Sequence, residues 1–226
     1  MGNRYRMIFF DLDGTLLDYA RAEAWALEQA VRHTGLGWTP EVLERYRRTN
    51  AELWRALEQG RTDAATLTRR RFQETIPSLS DREAERLNSI YLSHLEQAGF
   101  LLPHAEETLL FLSSRYRLGA LSNGFSRIQR SRLRAAGIDT YLAYVLTSED
   151  AGTAKPDPAF FARALRDNRL RPGEALMVGD SPTSDIAGAL GAGMDSCWIS
   201  PGDDCPPIPR PTYRIRNLEE LRTILG

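Results

Sequence analysis

The chain opens on a short unbroken apolar run, Met7 to Phe10, that stops at Asp11. A run of that length closed by polar residues predicts a strand buried on both faces. From about Tyr19 to Gly99 the period changes to that of helices. "RAEAWALEQAVRHTG" has helical spacing and ends on glycine, and "TPEVLERYRRTNAELWRALEQG" starts with a Thr cap and a first-turn proline. "TDAATLTRRRFQETI" and "SDREAERLNSIYLSHLEQAG" continue the theme, so about four helices follow one another without a strand. After "FLLPHAEETLLFLSSRY" strands and helices alternate. "RLGALSN", "YLAYVLTSED", "EALMVGD", "DSCWIS" and "YRIRN" read as strands. "SRIQRSRLRAAGI", "DPAFFARALRDN", "TSDIAGALGAG" and "LEELRTILG" read as helices between or after them. Alternation of this kind implies a parallel sheet with right-handed crossovers. The pattern therefore predicts an α/β core, residues 1–18 and 103–226, interrupted after its first strand by an all-helical segment, residues 19–102. "PGDDCPPIPRP" reads as a surface loop.

In open α/β sheets ligands bind beyond the carboxyl ends of the strands. The residues found there are Asp11 and Asp13, Ser122 and Asn123, and Asp180, with Lys155 in the loop after "YVLTSED". Three carboxylates in one place repel each other unless a cation intervenes, and hard oxygen donors favour Mg²⁺. A lysine, a hydroxyl and backbone amides remain to hold an anion, which makes this a phosphate site. The chain has neither a G-x-x-x-x-G-K-[ST] loop nor a complete G-x-G-x-x-G. A carboxylate can itself be the nucleophile and form an aspartyl-phosphate. Asp11, first off the strand, is placed for in-line attack. Asp13 would protonate the leaving oxygen and later deprotonate the hydrolytic water, while Ser122 and Lys155 bind the phosphoryl oxygens.

Composition sharpens one residue. All but one of the 29 Lys and Arg residues are arginine, and the single lysine is Lys155, in "GTAKPDP". Either this is a compositional accident or the position needs a compact ammonium that a planar guanidinium cannot replace; its neighbours favour the second. With 42% hydrophobic residues the chain is not disordered, and a net charge of -1 gives no electrostatic case for nucleic acid or membrane binding. The start "MGNRYRMIFFDLDG" reads neither as a signal peptide, because Asp11 ends its apolar run, nor as a myristoylation site. Cytoplasm is the expected location, and a monomer or homodimer the expected state. Cys197 and Cys205 are too few for a disulfide framework, and Cys197 reads as a strand residue. His33, His94 and His104 read as surface or packing residues. Only His104 is placed near a pocket.

"DLDGTLLD", "LSNG", "AKPDP" and "VGDSPTSDI" resemble, in order, the four motifs of the haloacid dehalogenase-like hydrolases, and bracket nearly the whole chain. The resemblance implies a Rossmann-like core, a helical cap inserted after the first motif, and Mg²⁺. It implies Asp11 as nucleophile and metal ligand, and Asp13 as general acid/base with its backbone carbonyl on the metal. Asp180 would be a metal ligand and Asp185 a support of the metal's shell. Ser122, Asn123 and Lys155 make up the phosphate-binding set. "TNAELWRALEQG", "RRRF", "SNGF" and "GMDSCWIS" are similar to a subgroup of noncanonical 5′-nucleotidases acting on nucleoside monophosphates. Members of that subgroup carry an acidic residue where this chain has Gly14.

Each residue also has a plainer reading. Asp180 and Asp185 could cap the helix near Pro182, and Ser122 could be a turn residue. Trp54 and the Arg69–Arg71 cluster could serve a nucleotide base and phosphate, but read better as packing and a solvated face. Trp25 and Trp38 read as packing. The expected activity is hydrolysis of small phosphomonoesters, with nucleoside 5′-monophosphates the expected substrates. A sugar phosphomutase or a phosphatase for non-nucleotide metabolites is the alternative within the same chemistry, and a non-catalytic binding module the alternative outside it. Asp13 argues against a dehalogenase, whose leaving halide needs no proton. A cap without lysine argues against Schiff-base phosphonate cleavage.

Overall fold

The computed structural model describes residues 4–58, 60–202 and 210–226. Cys205 and most of the expected loop at 201–211 lie outside them. The described residues form two compact units, Met1–Tyr19 with Gly99–Gly226, and Ala20–Ala98. The division near Gly99, earlier than the expected 102, has a backbone cause. Asp18 N donates to Phe100 O at 2.9 Å and Leu102 N to Leu16 O at 3.0 Å, with Leu17 bridging Leu101. Residues 100–102 are thereby paired with 16–18.

The first unit holds a six-stranded parallel sheet among the described residues: β1 Met7–Phe10, β2 Arg117–Ser122, β3 Tyr144–Thr147, β4 Ala175–Gly179, β5 Asp195–Ile199 and β6 Tyr213–Ile215. Its spatial order is β3-β2-β1-β4-β5-β6, a Rossmann-like α/β arrangement. β1 pairs with β2 on one side and β4 on the other, Phe10 lying opposite both Ala120 and Val178. The chain runs outward from β1 in one direction through β2 and β3, and in the other through β4, β5 and β6. The reversal falls between β1 and β4, where a crevice opens at the strands' carboxyl ends.

The unbroken apolar runs are explained by two buried faces. Ile8, Phe10, Leu118, Ala120, Leu176 and Val178 share one core, while Met7, Phe9, Leu121, Ala175 and Met177 share another. Among the described residues ten α-helices follow in chain order: α1 Tyr19–His33, α2 Pro40–Glu58, α3 Ala64–Thr75, α4 Asp81–Leu95, α5 Ala105–Ser113, α6 Ser126–Ala135, α7 Ser148–Ala151, α8 Pro158–Asp167, α9 Ala187–Gly191 and α10 Glu220–Ile224. Helix α5, inside a stretch to which the sequence reading assigns no element, contributes Leu109 and Leu112 to the first core; Phe160 and Phe161 of α8 fill the second. The segment read as one helix from Thr183 begins instead with a π-helical turn, Pro182–Ile186, before α9.

The second unit consists of α2, α3, α4 and all of α1 after Tyr19. Its centre is an aromatic group, Tyr46, Phe72 and Tyr91, with ring centroids 5.5 to 5.6 Å apart. Arg71 departs from the solvated face expected of 69–71. It is 2% exposed, lies 4.8 Å from the Tyr91 ring centroid, and donates from Nε to Asn88 Oδ1 at 3.2 Å. The aromatic faces and the amide oxygen make burial of its guanidinium tolerable. Arg69 and Arg70 are exposed, as expected, and Trp54 is partly buried. Trp25 packs edge-on against His94, centroids 5.7 Å apart. Among the described residues no helix is long and apolar enough to cross a membrane.

Phe10 is fully buried in the central strand. Phe10→Ala should cost about 3–5 kcal/mol, seen as an earlier midpoint in urea unfolding; an unchanged midpoint would contradict the assigned core.

Candidate active site

Four strand ends meet at the crevice. Asp11 follows β1 directly, its N–H donating to Val178 O of β4 at 2.8 Å. Asp180 follows β4, and its carbonyl accepts from Trp198 Nε1 at 2.9 Å. Ser122 closes β2, and Lys155 lies beyond β3 and α7. Asp185, in the turn after β4, completes a trio. One carboxylate oxygen from each of Asp11, Asp180 and Asp185 lies within 4.8 Å of the other two. The loops at Asp11 and Asp180–Asp185 thus converge.

Lys155 is buried among them. Its Nζ donates to Asp11 Oδ1 at 2.5 Å, Asp185 Oδ1 at 2.7 Å and Leu121 O at 2.7 Å. An ammonium has three N–H donors, and all three are used. Burial alone would lower its pKa, but the Asp11 and Asp185 carboxylates outweigh burial and raise it, so Lys155 stays charged. Asp185 also accepts from Ser181 N at 3.0 Å through Oδ2, so it braces the turn as well as the lysine. Ser181, not Asp180, caps that turn, accepting from Ser184 N at 3.2 Å.

Asn123 reads in the sequence as a phosphate ligand, yet its side chain is engaged elsewhere. Its Nδ2 donates to Lys155 O at 2.9 Å and its Oδ1 accepts from Lys155 N at 2.8 Å. This two-bond clasp fixes the lysine's backbone. Ser122 Oγ accepts from Gly124 N at 3.1 Å and Gln129 Nε2 at 2.8 Å, which leaves its O–H to donate to an anion. The Asp13 carboxylate lies outside the trio. Gln129 Nε2 donates to its Oδ2 at 2.6 Å, and Arg132 Nη1 donates to its Oδ1. Gln129 and Arg132 escape a reading of the sequence, where they are two polar residues in an arginine-rich helix. The available signal is their i, i+3 spacing, which puts them on one face of α6. Gly14 adopts φ +91°, and a Cβ there would come within 2.5 Å of Asp180 Oδ2, so the glycine leaves room for that carboxylate. His104 is exposed in left-handed backbone before α5, and Cys197 is buried in β5.

Three carboxylates against one ammonium leave two uncompensated negative charges. The strain falls on Asp11 and Asp180. Burial, with Asp185 and Asp180 adding to it and Lys155 opposing, pushes Asp11 well above the usual carboxylate range. Burial and then Asp185 push Asp180 up to about 6. Hard oxygen donors with this charge fit a divalent cation.

Comparison with known proteins agrees with the geometry. The family model for haloacid dehalogenase-like hydrolases matches residues 5–193. The chain belongs to that family. The HAD-hydrolase YfnB of Bacillus subtilis is 34% identical over 99% of this chain and 96% of its own. A crystal structure of YfnB bound to magnesium superposes with a TM-score of 0.89 at 32% identity, covering 98% of this chain and 99% of that one. Pyrimidine 5′-nucleotidase PynA of Streptococcus pneumoniae is 32% identical over 96% of this chain and 93% of its own. Pyrimidine 5′-nucleotidase YjjG of Escherichia coli is 30% identical over 98% of each. The chain is therefore an enzyme, a hydrolase of a family whose relatives include proteins named as 5′-nucleotidases and phosphatases.

A carboxyl group whose folded pKa exceeds its unfolded one contributes stability at low pH and loses it as pH rises through the folded value. Without metal, Asp180 should therefore make the thermal midpoint fall between about pH 4 and pH 7, and Asp180→Asn should remove that part. A divalent cation at a hundredfold excess over its Kd should restore about 2.7 kcal/mol at pH 7. Scanning fluorimetry with EDTA or Mg²⁺ reads this, and a midpoint indifferent to Mg²⁺ at pH 7 would contradict the metal reading.

Proposed function

We propose that this chain is a magnesium-dependent phosphatase that hydrolyses small phosphomonoesters in the cytoplasm through an aspartyl-phosphate on Asp11, nucleoside 5′-monophosphates being its substrates. The observation that carries the reading is the fully engaged ammonium of Lys155, joined to Asp11 and Asp185 inside the carboxylate trio. A site this rich in carboxylates accepts a phosphate dianion only where positive charge is concentrated. Asp11, Asp180 and Asp185, with the backbone carbonyl of Asp13, would hold magnesium, which when bound neutralises the carboxylates and withdraws charge from the phosphoryl oxygens.

The chain's own residues carry the steps. A carboxylate oxygen of Asp11 attacks phosphorus, and the bond from phosphorus to the leaving oxygen breaks as the new O–P bond forms. Asp13 gives that leaving oxygen its proton. Asp13, now a carboxylate, takes a proton from water as the water oxygen attacks phosphorus. The bond from phosphorus to Asp11 then breaks, restoring the nucleophile and releasing phosphate. The Ser122 hydroxyl donates to a phosphoryl oxygen, while Lys155, its three donors engaged, holds Asp11 in place and sets positive charge beside it, and Asn123 holds Lys155. Asp13 favours phosphate over halide chemistry, because an alcohol leaves only with a proton and a halide leaves without one.

The magnesium in YfnB and the nucleotidase names of PynA and YjjG support the cofactor and the substrate class. The helical unit, Ala20–Ala98, matches the helical insertion that the sequence expects as a cap.

Phosphate release from a panel of nucleoside monophosphates, sugar phosphates and p-nitrophenyl phosphate, with and without Mg²⁺, tests the reading. Asp11→Asn should lower kcat by about 10⁴ or more. Lys155→Arg should lose about a hundredfold despite keeping its charge, because a planar fork cannot meet three acceptors set around one nitrogen. Near wild-type turnover in either variant, or full activity in EDTA, would refute the mechanism.

A further inference from the structure

Resting on the phosphatase reading above, we infer that Gln129 and Arg132 are positioning residues that hold the Asp13 carboxylate at a set distance from the phosphate-binding hydroxyl of Ser122. They act through Asp13 and touch no substrate.

Both side chains are almost wholly buried on α6, at 2% and 1% exposure. The Asp13 side chain they contact is about a third open, at 30%. The open group is thus the one placed to meet a ligand, and the buried pair forms its backing. Burying a guanidinium is expensive, and an apolar side chain would pack α6 onto the sheet at lower cost. The arginine's presence there calls for a reason beyond packing.

The connections supply one. Arg132 Nη1 donates to Asp13 Oδ1 and also to Gln129 Oε1 at 3.0 Å. Because the amide oxygen of Gln129 faces a donor-only group, its NH₂ must face the other way. There it donates to Asp13 Oδ2 at 2.6 Å and to Ser122 Oγ at 2.8 Å. One amide group therefore spans the residue that exchanges protons with the leaving oxygen and the residue that holds the phosphoryl oxygens. Both Asp13 oxygens are tied, so its rotamer is set. Placing the carboxylate within reach of the leaving oxygen is worth a large part of the barrier, and a displacement of 1 Å can cost about a hundredfold.

A purely structural role would weaken every substrate alike. A positioning role would not, because a good leaving group needs little help from a proton donor. The test compares kcat/KM, which covers the steps up to departure of the leaving group, for p-nitrophenyl phosphate and for a nucleoside 5′-monophosphate, both with Mg²⁺. Gln129→Met should lose about a hundredfold on the nucleotide and less than about threefold on the aryl ester. Asp13→Asn should shift the same ratio in the same direction and further. Arg132→Lys, which keeps a charged donor group, should lose less on the nucleotide than Arg132→Met. Thermal midpoints show that each variant is folded, and Arg132→Lys keeps the test open if Arg132→Met is not.

Equal losses on the two esters, or no loss on either, would overturn the positioning role while leaving the phosphatase reading intact. Wild-type protein that releases phosphate from neither ester would overturn both.

Discussion

One ammonium in a buried cluster of carboxylates constrains this molecule more than any other contact. Lys155 spends its three protons on Asp11, Asp185 and the Leu121 carbonyl, with nothing left for water. A primary ammonium directs its donors around a single nitrogen, so it can sit between acceptors from three loops. A guanidinium spreads five donors in a plane and suits two parallel acceptors instead. That geometry explains a lysine here in a chain that otherwise uses arginine throughout. The compensation is incomplete, and Asp11 and Asp180 stay above their ordinary pKa because negative charge remains. A site left short of positive charge in this way is suited to take a divalent cation and a phosphate together.

The sheet makes the cluster possible. Parallel strands send all their carboxyl ends to one edge, and the reversal of direction between β1 and β4 leaves a crevice there. Asp11 and Asp180, far apart in the chain, leave neighbouring strands one residue apart in register. Asn123 and Trp198 then hold the loops, the first through the Lys155 backbone and the second through the Asp180 carbonyl.

Arginine illustrates how burial divides one residue type between roles. Arg69 and Arg70 are exposed, whereas Arg71 sits in the aromatic centre of the helical unit against Tyr91 and Asn88. Arg132, equally buried, faces a carboxylate of the site. The first of these buried residues organises a core, and the second reaches Asp13. Both occur in arginine-rich helical segments, "TRRRF" and "SRIQRSRLRA", with no local mark to separate them.

The order of strands and helices, the four-helix insertion and the strand-end residues Asp11, Asp180 and Lys155 were legible in the sequence, because periodicity and abrupt polarity changes are local properties of a chain. So were the motifs that resemble the haloacid dehalogenase-like hydrolases. Local pattern could not say that Arg71 is buried or that Asn123 clasps a backbone. It also could not say that Gln129 and Arg132 reach Asp13, more than a hundred residues away. Those outcomes depend on which side chains from distant segments share a neighbourhood, and a hydrogen bond or a desolvated charge has its energy only once that neighbourhood exists.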